Sequence, residues 1–145
     1  MQVTDFDTTT LTFGVIYEDH DAGRHPEDGC PLVAQVYFVT ATAPDGTRFK
    51  RHVGTWSWVS DDVDGYPMAY RSAFAPNGRH LSGIDDAGLA DAAAEMAARL
   101  EASPTRRLNP EAWEFAGAVY GSDAYQALGI EEETAHFERE AERWG

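Results

Sequence analysis

Leu11, Phe13, Val15 and Tyr17 alternate with Thr12, Gly14 and Ile16, which predicts a strand with those four side chains on one face. The alternation stops at Glu18. From there to Pro31 the chain carries Asp, Gly, His and Pro instead of periodic apolar residues, and it reads as a long exposed loop. Leu32 to Ala43 is apolar on both faces, Val33, Tyr37 and Val39 on one and Ala34, Val36 and Phe38 on the other, as in a central strand covered on two sides. Pro44-Asp45-Gly46 then supplies a preset φ and a left-handed position, so Thr47 to Trp58 is expected to fold back antiparallel. On this return strand Arg48, Lys50 and His52 are expected to project to one side, with Trp56 and Trp58 following in phase, while Phe49 and Val53 face the other.

Ser60 to Pro67 reads as an acidic turn, and Pro76-Asn77-Gly78 marks a reversal inside Met68 to Leu81, where a fourth short strand is expected. Ser82-Gly83-Ile84-Asp85 resembles a capping signal. Leu89, Ala93, Met96 and Leu100 come after it at helical spacing, which predicts a helix from Asp86 to Ala102 that Ser103-Pro104 ends. Asn109-Pro110-Glu111 is a cap followed by proline at the first helical position, predicting a short helix that carries Trp113 toward Ala118. After a turn around Tyr125, Ile130, Thr134, Phe137, Ala141 and Trp144 mark one face of a last helix. Together these elements predict one α+β domain over residues 1–145. Its sheet has three or four antiparallel strands built around the Leu32 to Trp58 hairpin, with the Asp86 to Ala102 helix on one face and C-terminal helices at the side. A central strand apolar on both faces also needs its second face covered, by the C-terminal segment or by a second copy of the chain as a homodimer.

Composition narrows the functional classes. The 145 residues are 43% hydrophobic and 12% aromatic, as in a chain that packs a core. Twenty-five carboxylates against eleven Lys and Arg give a formal charge of −14, a sign that repels phosphate and disfavours nucleic acid as a direct ligand. Cys30 is the only cysteine, so no intramolecular disulfide can form and a reducing cytoplasm is expected. Met1 to Thr10 is polar, and no apolar run approaches the roughly 18 residues of a spanning helix, so neither an export signal nor a membrane role is expected.

Candidate chemistry is sparse. His20, His25 and Cys30, with Asp19 and Asp21 beside them, are metal-ligand types, but there is no second Cys, no His pair at i and i+4 and no HExxH, so no metal is expected. Ser60, Asp62, Asp64 and Gly65 echo the start of a calcium loop, yet Arg71 stands where the bidentate acid should fall. There is no GxSxG, no GxGxxG and no phosphate-binding loop, so no catalytic residue or cofactor is assigned; scattered carboxylates leave a small enzyme with a dispersed acid–base site as one alternative, and a regulatory or structural module as another. Arg48, Lys50, Arg51 and His52 with Trp56 and Trp58 form the one basic, aromatic strip, of a kind that stacks on single-stranded nucleic acid, although tryptophans that fill the core and charges that offset acidic neighbours are the favoured account of it.

Acidic runs are the remaining feature. Asp85, Asp86, Asp91, Glu95 and Glu101 lie on or beside the long helix, and Glu131, Glu132, Glu133, Glu138, Glu140 and Glu142 crowd the last one. Asp91 with Glu95, and Glu138 with Glu142, are like charges at i and i+4, which cost a few tenths of a kcal/mol. Acids in a first helical turn are favoured by the dipole, but acids near the end of the last helix are not. Asp85, Asp86, Asp91, Glu95, Glu101, Glu131, Glu132, Glu138 and Glu142 are therefore the candidate contacts to a positively charged partner. Asn109-Pro110-Glu111-Ala112-Trp113 followed by Tyr120-Gly121-Ser122-Asp123-Ala124-Tyr125 resembles the C-terminal part of small uncharacterised proteins carried by bacterial phages and plasmids. That resemblance implies a non-catalytic inhibitor of host defence, anti-CRISPR or anti-restriction, that imitates DNA and occupies a basic nucleic-acid-binding surface on a host protein.

Overall fold

A strand that is apolar on both sides is stable only inside a sheet whose two faces are covered, and this requirement organises the chain. The computed structural model describes residues 2–24, 31–59, 71–127 and 138–143. Among them, six strands form one antiparallel sheet: β1 (Thr12–Arg24), β2 (Pro31–Thr42), β3 (Thr47–Val59), β4 (Ser72–Phe74), β5 (His80–Leu81) and β6 (Glu114–Ala118). The order is β1-β2-β3-β4-β5. β6 also pairs with β3, beside Thr47 to Lys50, while β4 lies beside Thr55 to Ser57, so the two short strands share one edge of β3. One helix, α1 (Asp86–Ala102), packs on the sheet, and α2 (Asp123–Ala127) is a short helix near β6. The fold is thus α+β as expected, with more strands than the three or four read from the sequence.

α1 begins and ends where its local chemistry dictates. Asp85 caps it by accepting the Gly88 N–H at 2.8 Å, and the Ser103 N–H closes the last turn on the Leu100 carbonyl. Leu89, Ala93 and Ala97 are buried from this helix, with Met96 and Leu100 partly so. Ala93, Ala97, Met96 and Leu100 meet Val39, Ala41, Phe49 and Trp113 in a core that also holds Val3 and Leu11, while Leu89 packs with Tyr37 and Ala73 in a second cluster. Arg106, whose φ of 42° is in the left-handed region, ties this layer together: its guanidinium donates to the carbonyls of Thr9, Leu11 and Glu101 and to the Glu101 carboxylate at 2.7–3.1 Å.

Three sequence expectations change. Glu18 to Arg24 is strand, not loop: Glu18, Asp19, His20 and Asp21 pair in register with Val36, Gln35, Ala34 and Val33, and an irregularity comes only between Asp21 and Arg24. Residues 25–30 lie outside the described residues. The Asn109-Pro110 signal makes one turn, with the Ala112 N–H on the Asn109 carbonyl, and the chain then extends as β6 because the half of β3 beside Thr47 to Lys50 offers an open edge. Finally, β3 contains a bulge. Tyr37 faces Gly54 whereas Phe38 faces His52, so Val53 is an extra residue and the side-chain phase flips beyond it. Trp56 consequently packs with Tyr37, Ala73 and Leu89 on the helix side, and Trp58, two residues on, shares that side; neither continues the Arg48, Lys50, His52 row. A Cβ on Gly54 would stand 2.7 Å from Leu89 Cδ2 and 3.2 Å from the Phe74 carbonyl, so α1 and β4 close over the bulge only because this residue is glycine.

The hairpin turn is equally constrained. Gly46 has φ 93°, its carbonyl accepts the Val119 N–H, and a Cβ there would collide with the Ser122 side chain. Gly46→Ala is therefore expected to lower stability by about 1–3 kcal/mol, through backbone strain and overpacking together, read as a shift in the urea midpoint at unchanged slope.

Candidate functional site

Strand alternation turns Ile16, Glu18 and His20 of β1, Phe38 and Thr40 of β2, and Lys50 and His52 of β3 to the sheet face opposite α1. An ammonium group on such a face cannot be buried alone. Lys50 and Glu18 are both about 3% exposed, and the Lys50 Nζ lies 3.2 and 3.3 Å from the two Glu18 carboxylate oxygens. Nζ also stands 4.4 Å above the Phe38 ring and 3.6 Å from Glu114 on β6. The same Glu18 carboxylate receives Arg143 Nη1 at 3.3 Å and His20 Nε2 at 3.2 Å. Arg143 belongs to the helical stretch 138–143, so the C-terminal segment reaches this second face. Beside the cluster, burial holds the His52 imidazole below its ordinary pKa, and its Nε2 is 3.0 Å from the Thr55 hydroxyl.

An open cleft of about 330 Å³ adjoins the cluster, lined by Val15, Ile16, Tyr17, Glu18, Arg48 and Glu140. Two carboxylates meet there, as an acid–base site would require, but Glu18 already accepts from Lys50, Arg143 and His20 through both oxygens. With Lys50, Arg143 and His20 all gathered on Glu18, this cluster is built to hold charge in place. The Arg48 Nε is buried in the same region without a hydrogen-bond partner among the described residues.

The acidic candidates fall into groups. Asp85 caps α1, and Asp86 accepts from the Tyr37 hydroxyl; burial first, and that carboxylate second, push the Tyr37 phenol well above its ordinary value. Glu101 accepts the Phe13 N–H at 2.7 Å and pairs with Arg106 at 3.0 Å. These three carboxylates hold the fold. Glu95 pairs with Arg99 on the exposed surface of α1, where Asp91 is also exposed, and Glu138 and Glu142 are exposed on the 138–143 stretch. Glu131 and Glu132 lie outside the described residues. α1 covers one sheet face whereas Arg143 reaches the other, so the two acidic helices are not neighbours on one surface.

The remaining sequence motifs are dispersed. His20 is committed to Glu18; His25 and Cys30 lie outside the described residues, as does 60–70 with the calcium-like echo, and no group of three metal-ligating side chains occurs among the described residues. In the basic strip, Lys50 is buried in the ion pair and Arg51 faces Val39 on the helix side, so no continuous basic and aromatic surface forms. The Glu18–Lys50 pairing was hidden because hydropathy placed Glu18 in a loop; the in-phase row Arg48, Lys50, His52 on a strand was the one available signal. No family model, curated protein or solved structure matches the chain.

This geometry has two measurable consequences. Lys50→Ala leaves Glu18 buried with fewer cations and should cost about 3–5 kcal/mol in urea unfolding, whereas Glu18→Gln combined with Lys50→Met should recover most of that loss. Because the folded state resists protonation of His52 while the unfolded chain accepts a proton at the ordinary value of 6.5, the stability it contributes is present above that pH and is lost as pH falls through the lower folded pKa. His52→Gln should flatten the fall in urea midpoint between about pH 7.5 and pH 5.

Proposed function

We propose that this protein is a non-catalytic binding protein whose negative surface docks on a basic surface of another protein, of the kind a nucleic-acid-binding protein presents to phosphate. One observation supports the reading above others: acids of both helical stretches face water, while three of the cations are engaged with carboxylates of the fold. Lys50 is buried between Glu18 and Glu114, Arg143 is drawn onto Glu18 and Glu140, and Arg106 is committed to backbone carbonyls and Glu101. Asp91, Glu138 and Glu142 meanwhile stay exposed, so part of the formal charge of −14 stands where a partner can meet it.

Charge of this kind steers encounter and discriminates partners, and an occupied phosphate-binding surface is blocked for nucleic acid. Since α1 and the 138–143 stretch sit on opposite faces, a flat partner surface meets one of them. The α1 acids Asp91 and Glu95 and the C-terminal acids Glu138 and Glu142 are therefore separate candidate contacts.

Affinity capture from the native host tests this directly. The recovered partners should be nucleic-acid-binding proteins, displaced by duplex DNA and by about 1 M salt, where screening acts within about 3 Å. Reversal to Lys of one acidic pair, either Asp91 with Glu95 or Glu138 with Glu142, should weaken capture at least about tenfold, roughly 1.4 kcal/mol, with an unchanged melting curve, and the other pair should be close to neutral. Partners that neither DNA nor salt displaces would remove the reading.

A further inference from the structure

β1 is the outer strand of the sheet, and its pattern of hydrogen bonds reveals which groups face outward. The Phe13 N–H donates to the Glu101 carboxylate and the Leu11 carbonyl accepts from Arg106, so neither points toward β2. In an antiparallel ladder, backbone N–H and C=O groups alternate in direction along the strand. The β1–β2 register is unbroken from Thr12 to Asp21, so Val15, Tyr17 and Asp19 also turn theirs outward, while Gly14, Ile16 and Glu18 bond to β2. Arg106 and Glu101 thus cover the edge at Leu11 and Phe13, and no comparable side chain among the described residues covers it from Val15 to Asp19.

The uncovered half has a definite chemistry. Val15 and Tyr17 are 38% and 50% exposed on the helix side of the edge, followed by exposed Asp19. The cleft that Val15, Ile16, Tyr17 and Glu18 line runs along this edge, with Arg48 and Glu140 on its remaining walls. A free edge of this length with apolar side chains invites a further strand, and natural proteins otherwise blunt such edges with lysine, proline or a covering element. A second copy of the chain would bring two bodies of charge −14 together. A cationic chain is attracted instead.

We propose that Val15–Asp19 is a strand-addition site for an extended segment of a cationic protein, alternating apolar and basic residues. Its backbone completes the outward groups of Val15, Tyr17 and Asp19, its apolar side chains lie beside Val15 and Tyr17, and its basic ones approach Asp19 and Glu140. The charge of the partner rests on the function proposed above; the mode of binding rests on the edge.

The probe is a blocked peptide of about ten residues alternating Lys and Val, set against one of equal charge in which two valines are proline and which cannot pair as a strand. At low salt the alternating peptide should bind at least about tenfold more tightly and slow hydrogen exchange at the Val15 and Tyr17 amides, which exchange faster than those of Ile16 and Glu18 in the free protein. Val15→Pro removes an outward donor without touching the β1–β2 ladder, and Tyr17→Lys places a charge on the edge; each should reduce the alternating peptide to the level of its proline control. If Val15→Pro does not fold, Tyr17→Lys decides. Equal binding of both peptides, without protection at Val15 and Tyr17, overturns strand addition and leaves the acidic binding function standing. Failure of both peptides to bind overturns the strand-addition site and leaves the acidic binding function to the affinity capture, and protection of these amides in a peptide-free dimer assigns the edge to a second copy instead.

Discussion

A lysine whose side chain is about 3% exposed in the middle of a sheet is the constraint around which much of this molecule is arranged. Removing such an ion from water costs several kcal/mol, and only a close counter-ion with further hydrogen bonds offsets it. Glu18 is that counter-ion, and it stands on β1 while Lys50 stands on β3, with Phe38 of β2 between them beneath the ammonium. β1 must therefore continue as strand beyond its apolar stretch. Glu114 then approaches from β6 and Arg143 from the C-terminal stretch, so residues at positions 18, 50, 114 and 143 converge on one charge network. Such a network contributes less to stability than an apolar core of equal volume, but its partners penalise any other register of β1 on β2.

The two faces of the sheet are consequently unlike. On one, α1 contributes Leu89, Ala93 and Ala97 to an apolar core, and Gly54 permits the close approach of Leu89. On the other, paired charges replace apolar contacts. The bulge at Val53 lies between these regimes: Lys50 and His52 stay on the charged face before it, and Trp56 joins the apolar face after it. A regular β3 would have placed Trp56 across from the wrong neighbours and left α1 without a cover for its first turn.

This division explains what could be read in advance. Helix Asp86–Ala102 is legible to the residue because its cap, its period and its terminator agree. The Pro44-Asp45-Gly46 hairpin is legible for the same reason, and so is the reversal at Pro76-Asn77-Gly78 between β4 and β5. The course of Glu18 to Arg24 is not, because polarity signals a loop unless the buried partner on another strand is known. β6 is also hidden: Asn109-Pro110 is a genuine turn signal, and only the open edge of β3 draws Glu114 to Ala118 into a strand. The acidic candidates were half legible. Sequence counts carboxylates, but it cannot tell Asp85, Asp86 and Glu101, which satisfy N–H, hydroxyl and guanidinium donors, from Asp91, Glu138 and Glu142, which face water.

The same sorting governs how a strongly charged chain remains folded. Like charges on the outer surfaces repel, and that repulsion opposes compaction. Here carboxylates nearest the core are each matched, Glu18 by Lys50 and Arg143, Glu101 by Arg106 and the Phe13 N–H, and Asp86 by Tyr37, so the excess negative charge is displaced to positions where water screens it. Matching inside and excess outside are one arrangement. Each cation drawn inward cancels a carboxylate there and leaves the net charge of the exterior unchanged, so the field presented to a partner is set by the surplus acids that face water, Asp91, Glu138 and Glu142 among them.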